Sequence, residues 1–263
     1  MHDPATDLLR FIDASPTPYH AVAEVIRRLE PAGWQPLAEA EIWRLAPGER
    51  RYVVRADGSI LAFQAGELSP AEAGFRIVGA HTDSPNLRLK PRADVVEHGY
   101  RQLAVEPYGG VLLHTWTDRD LSLAGRVSFE EQGRLRTVRL DFARPLLRVP
   151  NLAIHLQREI GEQGLKLDPQ QHMPPLLGLP DAPPWPELLA MELRAQGFLE
   201  ARAESLRGFD LMAYDTQPAA ISGARGEFVH APRLDNLASC HAAVSALLAV
   251  GEAPPPAFTR AVV

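Results

Sequence analysis

The chain has 263 residues, 46% of them apolar and 23% charged, the balance of an ordinary globular protein with room for one large core or two domains. A net charge of -6, from 33 acidic against 27 basic side chains, excludes the concentrated basic face of a nucleic-acid binder. The arginines are scattered and many have an acid beside them, as in Arg119-Asp120 and Arg158-Glu159.

A single cysteine, Cys240, excludes an internal disulfide, and its apolar helical setting predicts a buried, inert thiol. No stretch approaches the roughly 18 apolar residues of a membrane span. Met1-His2-Asp3-Pro4 lacks the basic and apolar runs of a signal peptide, so a cytoplasmic protein is expected.

In chain order, Thr17-Pro18-Tyr19 predicts a helix start, with Thr17 as N-cap and Pro18 in the first turn. Val22, Val25, Ile26 and Leu29 then form one apolar stripe. Arg51 to Val54 and Ser59 to Ala65 read as a hairpin turning at Asp57-Gly58. Phe75 to Ala80 is apolar almost throughout, which predicts a central strand covered on both faces.

From about Ala93 to Gly223 the texture changes to short strands such as Arg126 to Phe129 and Thr137 to Leu140. Asp168 to Pro186, with seven prolines, predicts a long surface loop, and Pro186 to Gln196 a helix presenting Leu188, Leu189 and Leu193. Near Phe228 the α/β texture returns: Leu237, Cys240, Val244, Leu247 and Leu248 are spaced for a helix starting just after Asp235 and ending at Gly251. Phe258 to Val263 begins another apolar strand. The expected division is 1–92 and 225–263 in one α/β domain, with 93–224 as a β-rich insertion.

Two places can carry chemistry. His81-Thr82-Asp83 follows a strand, where sites form in open α/β sheets. The histidine can bind a metal through one ring nitrogen while the carboxylate two residues on accepts the other N–H. On its own, H-x-D is more often a strand-end turn with an Asx-type bond. Asp235, just ahead of a helix, can bridge two cations, but Asp at that place is more often an N-cap. Phosphate-loop, G-x-S-x-G and H-E-x-x-H patterns are absent.

Five stretches, taken together and in order, resemble the M18 (aspartyl aminopeptidase) family. They are Ala14-Ser15-Pro16-Thr17-Pro18-Tyr19-His20-Ala21, Gly79-Ala80-His81-Thr82-Asp83-Ser84-Pro85, His114-Thr115-Trp116-Thr117-Asp118-Arg119-Asp120-Leu121, Leu152-Ala153-Ile154-His155-Leu156-Gln157 and Pro232-Arg233-Leu234-Asp235-Asn236-Leu237. The resemblance implies an α/β, three-layer zinc-peptidase-type catalytic domain, incomplete here, interrupted by a β-rich insertion that mediates dimerisation. It implies a two-zinc aminopeptidase that removes acidic or neutral N-terminal residues from peptides, with Co2+ or Mn2+ as possible substitutes for Zn2+, in a homo-oligomer built from dimers.

By position, His81 would be a terminal zinc ligand, Asp235 the bridging carboxylate, and Asp83 the group that orients His81. His155 would reach into a neighbouring subunit's site. A cis peptide bond after Asp235 is also implied. The family's Glu-Glu pair and its later Asp and His ligands have no counterpart in these residues, so the expectation is an N-terminal fragment, inactive alone. The alternative is a non-catalytic assembly partner or the product of a pseudogene.

Overall fold

A computed structural model describes residues 3–251 and 253–263. The chain forms two compact units, one made of the chain up to Ser84 together with Ala219–Val263, the other of Pro85–Pro218. The changeovers fall at Ser84/Pro85 and Pro218/Ala219, ahead of the expected 92/93 and 224/225.

Helix α1 (Pro4–Asp13) is capped by Asp3, whose carboxylate accepts from the amides of Ala5 at 3.3 Å and Thr6 at 3.0 Å. Helix α2 (Pro18–Leu29) follows, with Val22, Val25 and Leu29 buried as their spacing predicts. Thr17 holds the N-cap place in extended conformation, but its hydroxyl bonds His20 Nδ1 at 2.8 Å instead of a helix amide. After a short strand β1 (Gln35–Pro36), strands β2 (Arg50–Arg55) and β3 (Ser59–Gln64) make the expected hairpin. Arg55 pairs with Ser59, so the turn has three residues, and its left-handed positions are Ala56 (φ 49°) and Asp57 (φ 60°), one step before the expected Asp57-Gly58. Helix α3 (Pro70–Ala73) and strand β4 (Phe75–Val78) complete this first pass.

The second unit is built on an antiparallel sheet of β5 (Asn86–Glu97), β6 (Tyr100–Tyr108), β7 (Leu121–Glu131), β8 (Arg134–Asp141), β9 (Leu176–Gly178) and β10 (Leu206–Asp215). Their order is β8-β7-β10-β5-β6-β9. Between β8 and β9 lies the single-turn helix α4 (Ile160–Gln163). One face of the sheet packs Leu87, Leu103, Leu123, Val127 and Phe129 against Trp185, Leu189 and Leu193 of helix α5 (Trp185–Ala195). Strands β7 and β10 meet so closely at Gly125 that a Cβ there would lie 2.0 Å from the Asp210 carbonyl oxygen. The proline-rich stretch is more than a surface loop: it supplies edge strand β9, and Met173 within it is fully buried in the core. Its prolines flank β9 and none lies within the strand itself, so they take no amide from its ladder.

The chain re-enters the first unit through the hairpin of β11 (Ala220–Ser222) and β12 (Phe228–His230), then helix α6 (Leu234–Gly251) and strand β13 (Thr259–Val262). The sheet order is β1-β2-β3-β13-β4, with β13 antiparallel to β3 and parallel to β4. The central place expected for β4 is therefore taken by β13, whose Ala261 and Thr259 are buried. Strand β4 is an edge, with Phe75, Ile77 and Val78 each more than half exposed, because nothing among the described residues pairs with its far side. Phe11 and Ile12 of α1, Val25 and Leu29 of α2, and Leu237, Val244 and Leu247 of α6 share one core with Tyr52 and Ala62 of the sheet.

Candidate metal centre

The two candidate motifs, far apart in sequence, meet in the first unit. His81 leaves the end of β4, where Ala80 N–H still donates to the Val263 carbonyl at 2.8 Å. Its Nε2 lies 3.2 Å from Asp235 Oδ1, and its Nδ1 lies 3.2 Å from Asp83 Oδ1 and 3.0 Å from the Asp83 carbonyl oxygen. The Asp235 carboxylate faces the imidazole and not the amides of α6, so Asp235 does not act as the helix N-cap.

This geometry constrains the chemistry. With two acceptors at Nδ1, the ring proton belongs there, which leaves the Nε2 lone pair facing a carboxylate oxygen. Two acceptors 3.2 Å apart repel unless a proton or a cation lies between them. A nitrogen and an oxygen ligand on one tetrahedral zinc are separated by about 3.3 Å, given bond lengths of about 2.0–2.1 Å. The pair therefore fits the edge of a zinc coordination shell, with Asp83 behind the ring in the place of an orienting carboxylate. Asp235 is 88% exposed at its side chain, so it has room for a further ion or ligand. Among the described residues, no group of three or more His, Cys, Asp or Glu side chains could hold a metal by itself.

The cis bond that the resemblance implies is present, and hydrogen bonds from residues within or just beyond the two motifs complete the scaffold that presents this pair. The peptide bond Asp235-Asn236 is cis, and Asp235 and Asn236 have non-helical backbone, so the regular part of α6 begins at Leu237 as its apolar spacing predicts. Asn236 Oδ1 accepts the His81 N–H at 3.3 Å, and the Cys240 thiol donates to the His81 carbonyl at 3.2 Å. The Ser84 hydroxyl donates to the Asp235 carbonyl at 3.0 Å, and the Thr82 hydroxyl to the Gly58 carbonyl at 2.7 Å. Their only signal in the sequence was that they stand inside or just beyond the two motifs. Cys240 is buried, and burial pushes its thiol up to about 11.

His155 belongs to the other unit, exposed on a single turn of 3-10 helix, Ile154–Leu156. Leu152, Ile154 and Leu156 around it are exposed by 56–75%.

An α/β sheet with a histidine at a strand end, an orienting carboxylate and a facing aspartate defines a protein with a candidate metal centre. The family is then given by comparison. The model of the Aminopeptidase I zinc metalloprotease (M18) family matches residues 11–257, and the chain belongs to that family. It is similar to "Probable M18 family aminopeptidase 2" of Azotobacter vinelandii (48% identity, covering 93% of this chain and 57% of that protein). The protein of that name in Streptomyces coelicolor is 50% identical, with 93% and 55% covered.

Among solved structures, a chain of the Ape4 and Nbr1 complex superposes with a TM-score of 0.92 at 37% identity, over 98% of this chain and 53% of that one. Chaetomium thermophilum mApe1 gives 0.88 at 29% identity, over 99% and 62%. The S. cerevisiae mApe1 dodecamer gives 0.81 at 26%, over 99% and 59%. The chain thus spans little more than half the length of the relatives it matches. Among the described residues, no helix is long and apolar enough to cross a membrane.

Proposed function

We propose that these residues form part of the zinc site of an aminopeptidase that removes acidic or neutral N-terminal residues from peptides. The observation that carries this reading is the His81 Nε2 to Asp235 Oδ1 approach of 3.2 Å, with Asp83 behind the ring, in a chain of the M18 family. His81 would hold one ion as a terminal ligand, and Asp235 would be the carboxylate shared with a second. Asp83 holds the Nδ1 proton, which keeps Nε2 available to a metal ion. Zinc bound there supplies polarisation of the scissile carbonyl and a water that ionises near neutrality. Co2+ or Mn2+ also suits this nitrogen and oxygen donor set.

On this reading the first unit is a three-layer catalytic domain. The second unit is an insertion through which dimers form, and they build a larger homo-oligomer. His155 projects from the insertion toward a neighbouring copy's site. The exposed leucines and isoleucine around it support a contact surface there, and the dodecamer of the S. cerevisiae relative supports the larger assembly. The single buried thiol suits a cytoplasmic location.

Two protein ligands fall short of the three that a catalytic zinc takes. Further ligands therefore come from outside these residues, and the chain alone does not turn over peptides.

Titration calorimetry with Zn2+ alone tests the pair. Weak binding is expected, lost in both His81→Ala and Asp235→Ala. Binding that survives both substitutions would remove the basis of the proposal. Assayed in parallel on aspartyl and leucyl anilides, the chain should give no hydrolysis. Turnover abolished by His81→Ala would show that its own ligands suffice.

A further inference from the structure

The stretch Ala14–Ala21 carries part of the family resemblance, yet nothing in the proposed chemistry uses it. The structure brings its Pro18-Tyr19 part near Gly58, whose carbonyl the His81 loop also engages. Pro18 and Tyr19 open α2, and Tyr19 is only 7% exposed. A Cβ built on Gly58 would lie 3.4 Å from Tyr19 Cε1 and 3.7 Å from Pro18 Cβ, so the β2–β3 turn faces the first turn of α2 across a space about one methyl group wide. The carbonyl of that same Gly58 accepts the Thr82 hydroxyl at 2.7 Å.

Thr82 stands between His81 and Asp83, so this bond fixes the backbone from which both side chains leave. From the other side, Asn236 Oδ1 accepts the His81 N–H at 3.3 Å and the Cys240 thiol donates to the His81 carbonyl at 3.2 Å. The His81 side chain is itself 53% exposed, too little packed to choose its own rotamer. Asp83 holds the ring from Nδ1, and the backbone that carries both side chains sets where that pair points.

We propose that Thr82, seated on Gly58 and on the Pro18-Tyr19 start of α2, is a positioning residue that acts with Cys240 to aim the His81 ring at Asp235. The proposal deepens the zinc-site reading above and rests on it for its purpose. Its geometry holds without metal. The Pro18-Tyr19 part of that stretch then has a role: it stands behind the turn that holds a ligand loop. A ligand displaced by a fraction of an ångström, or free to rotate, binds its metal less well.

The test is nuclear magnetic resonance on the metal-free chain, with histidine labelled by 15N and 13C, at about pH 8. In the wild type the His81 ring should give one set of signals and a through-space contact to the Asp235 β-protons. Thr82→Val, which keeps the shape and removes the hydroxyl, should broaden or average the ring signals and lose that contact while the melting temperature stays within a few degrees. Thr82→Ser should restore both. An unchanged ring in Thr82→Val, or a wild-type ring that is already averaged, overturns the proposal. If Thr82→Val does not fold, Cys240→Ala against Cys240→Ser is judged by the same two criteria.

Addition of Zn2+ separates the two ideas. A fixed wild-type ring that ignores Zn2+ sinks the zinc reading and leaves the positioning role standing. A ring that responds should do so with an affinity about tenfold weaker in Thr82→Val, the low end for loss of an outer-shell partner.

Discussion

Asp7 joins three helices through one carboxylate, and its removal has a calculable cost. Arg28 of α2 donates to it from Nη1 at 2.6 Å and from Nη2 at 3.2 Å, and His241 Nε2 of α6 lies 2.7 Å away. The Arg28 hydrogen bond, offset in part by burial and reinforced by His241, holds the Asp7 carboxyl down at about 2 against an ordinary 3.8. At face value that shift corresponds to about 2.5 kcal/mol. The side chain is 35% exposed, so solvent screening brings the expected contribution to about 1 kcal/mol.

Because the folded value is depressed, the contribution is present above about pH 4 and is lost as the pH falls through about 2. Asp7→Asn should therefore cost about 1 kcal/mol at pH 7, or about 3 °C in melting temperature. The penalty should shrink steadily between pH 4 and pH 2. Urea unfolding of both proteins at pH 7, 4, 3 and 2.5 is the assay. No penalty at pH 7, or the same penalty at pH 2.5 as at pH 7, would refute the reasoning. Arg28 keeps its bond to Glu24 at 2.7 Å in the variant, so the measurement isolates Asp7 and not the whole network.

Two other perturbations follow from the packing. Gly125→Ala would bring a Cβ to 2.0 Å from the Asp210 carbonyl, at a glycine with φ 155°, so strands β7 and β10 must separate. A loss of about 3 kcal/mol or more is expected, and thermal unfolding within 1 kcal/mol of wild type would contradict the close approach. Cys240 is buried with its thiol pushed up to about 11, so at pH 8 the native chain should react with iodoacetamide at least about 100-fold more slowly than the chain in urea. Equal rates would mean that the thiol does not sit against His81.

The local elements were legible in the sequence because their causes are local. The spacing of three, four or seven residues among Val22, Val25 and Leu29 and among Leu237, Val244 and Leu247 needs only a helix to bring those side chains to one face, and α2 and α6 bury them. The β2–β3 hairpin needs only two apolar runs and a short polar turn between them. The rank of a strand within its sheet is not local. Phe75 to Val78 has the composition of a covered strand, yet it is an edge in this chain, because the inner place depends on which strand arrives between β3 and β4. Met173 was likewise hidden among prolines, since a single apolar residue in a proline-rich stretch carries no period to mark it as core.

The site divides in the same way. His81, Asp83 and Asp235 were named through family resemblance, whereas the residues by themselves left a turn and an N-cap as the commoner readings. The tertiary structure decided that the Asp235 carboxylate turns from the α6 amides to the His81 ring, and it brought Thr82, Ser84, Asn236 and Cys240 into grips on the two backbones. Those grips are single hydrogen bonds between segments far apart in the chain. No periodicity or spacing within either segment encodes them, so they exist only once the sheet and the helices have fixed both ends.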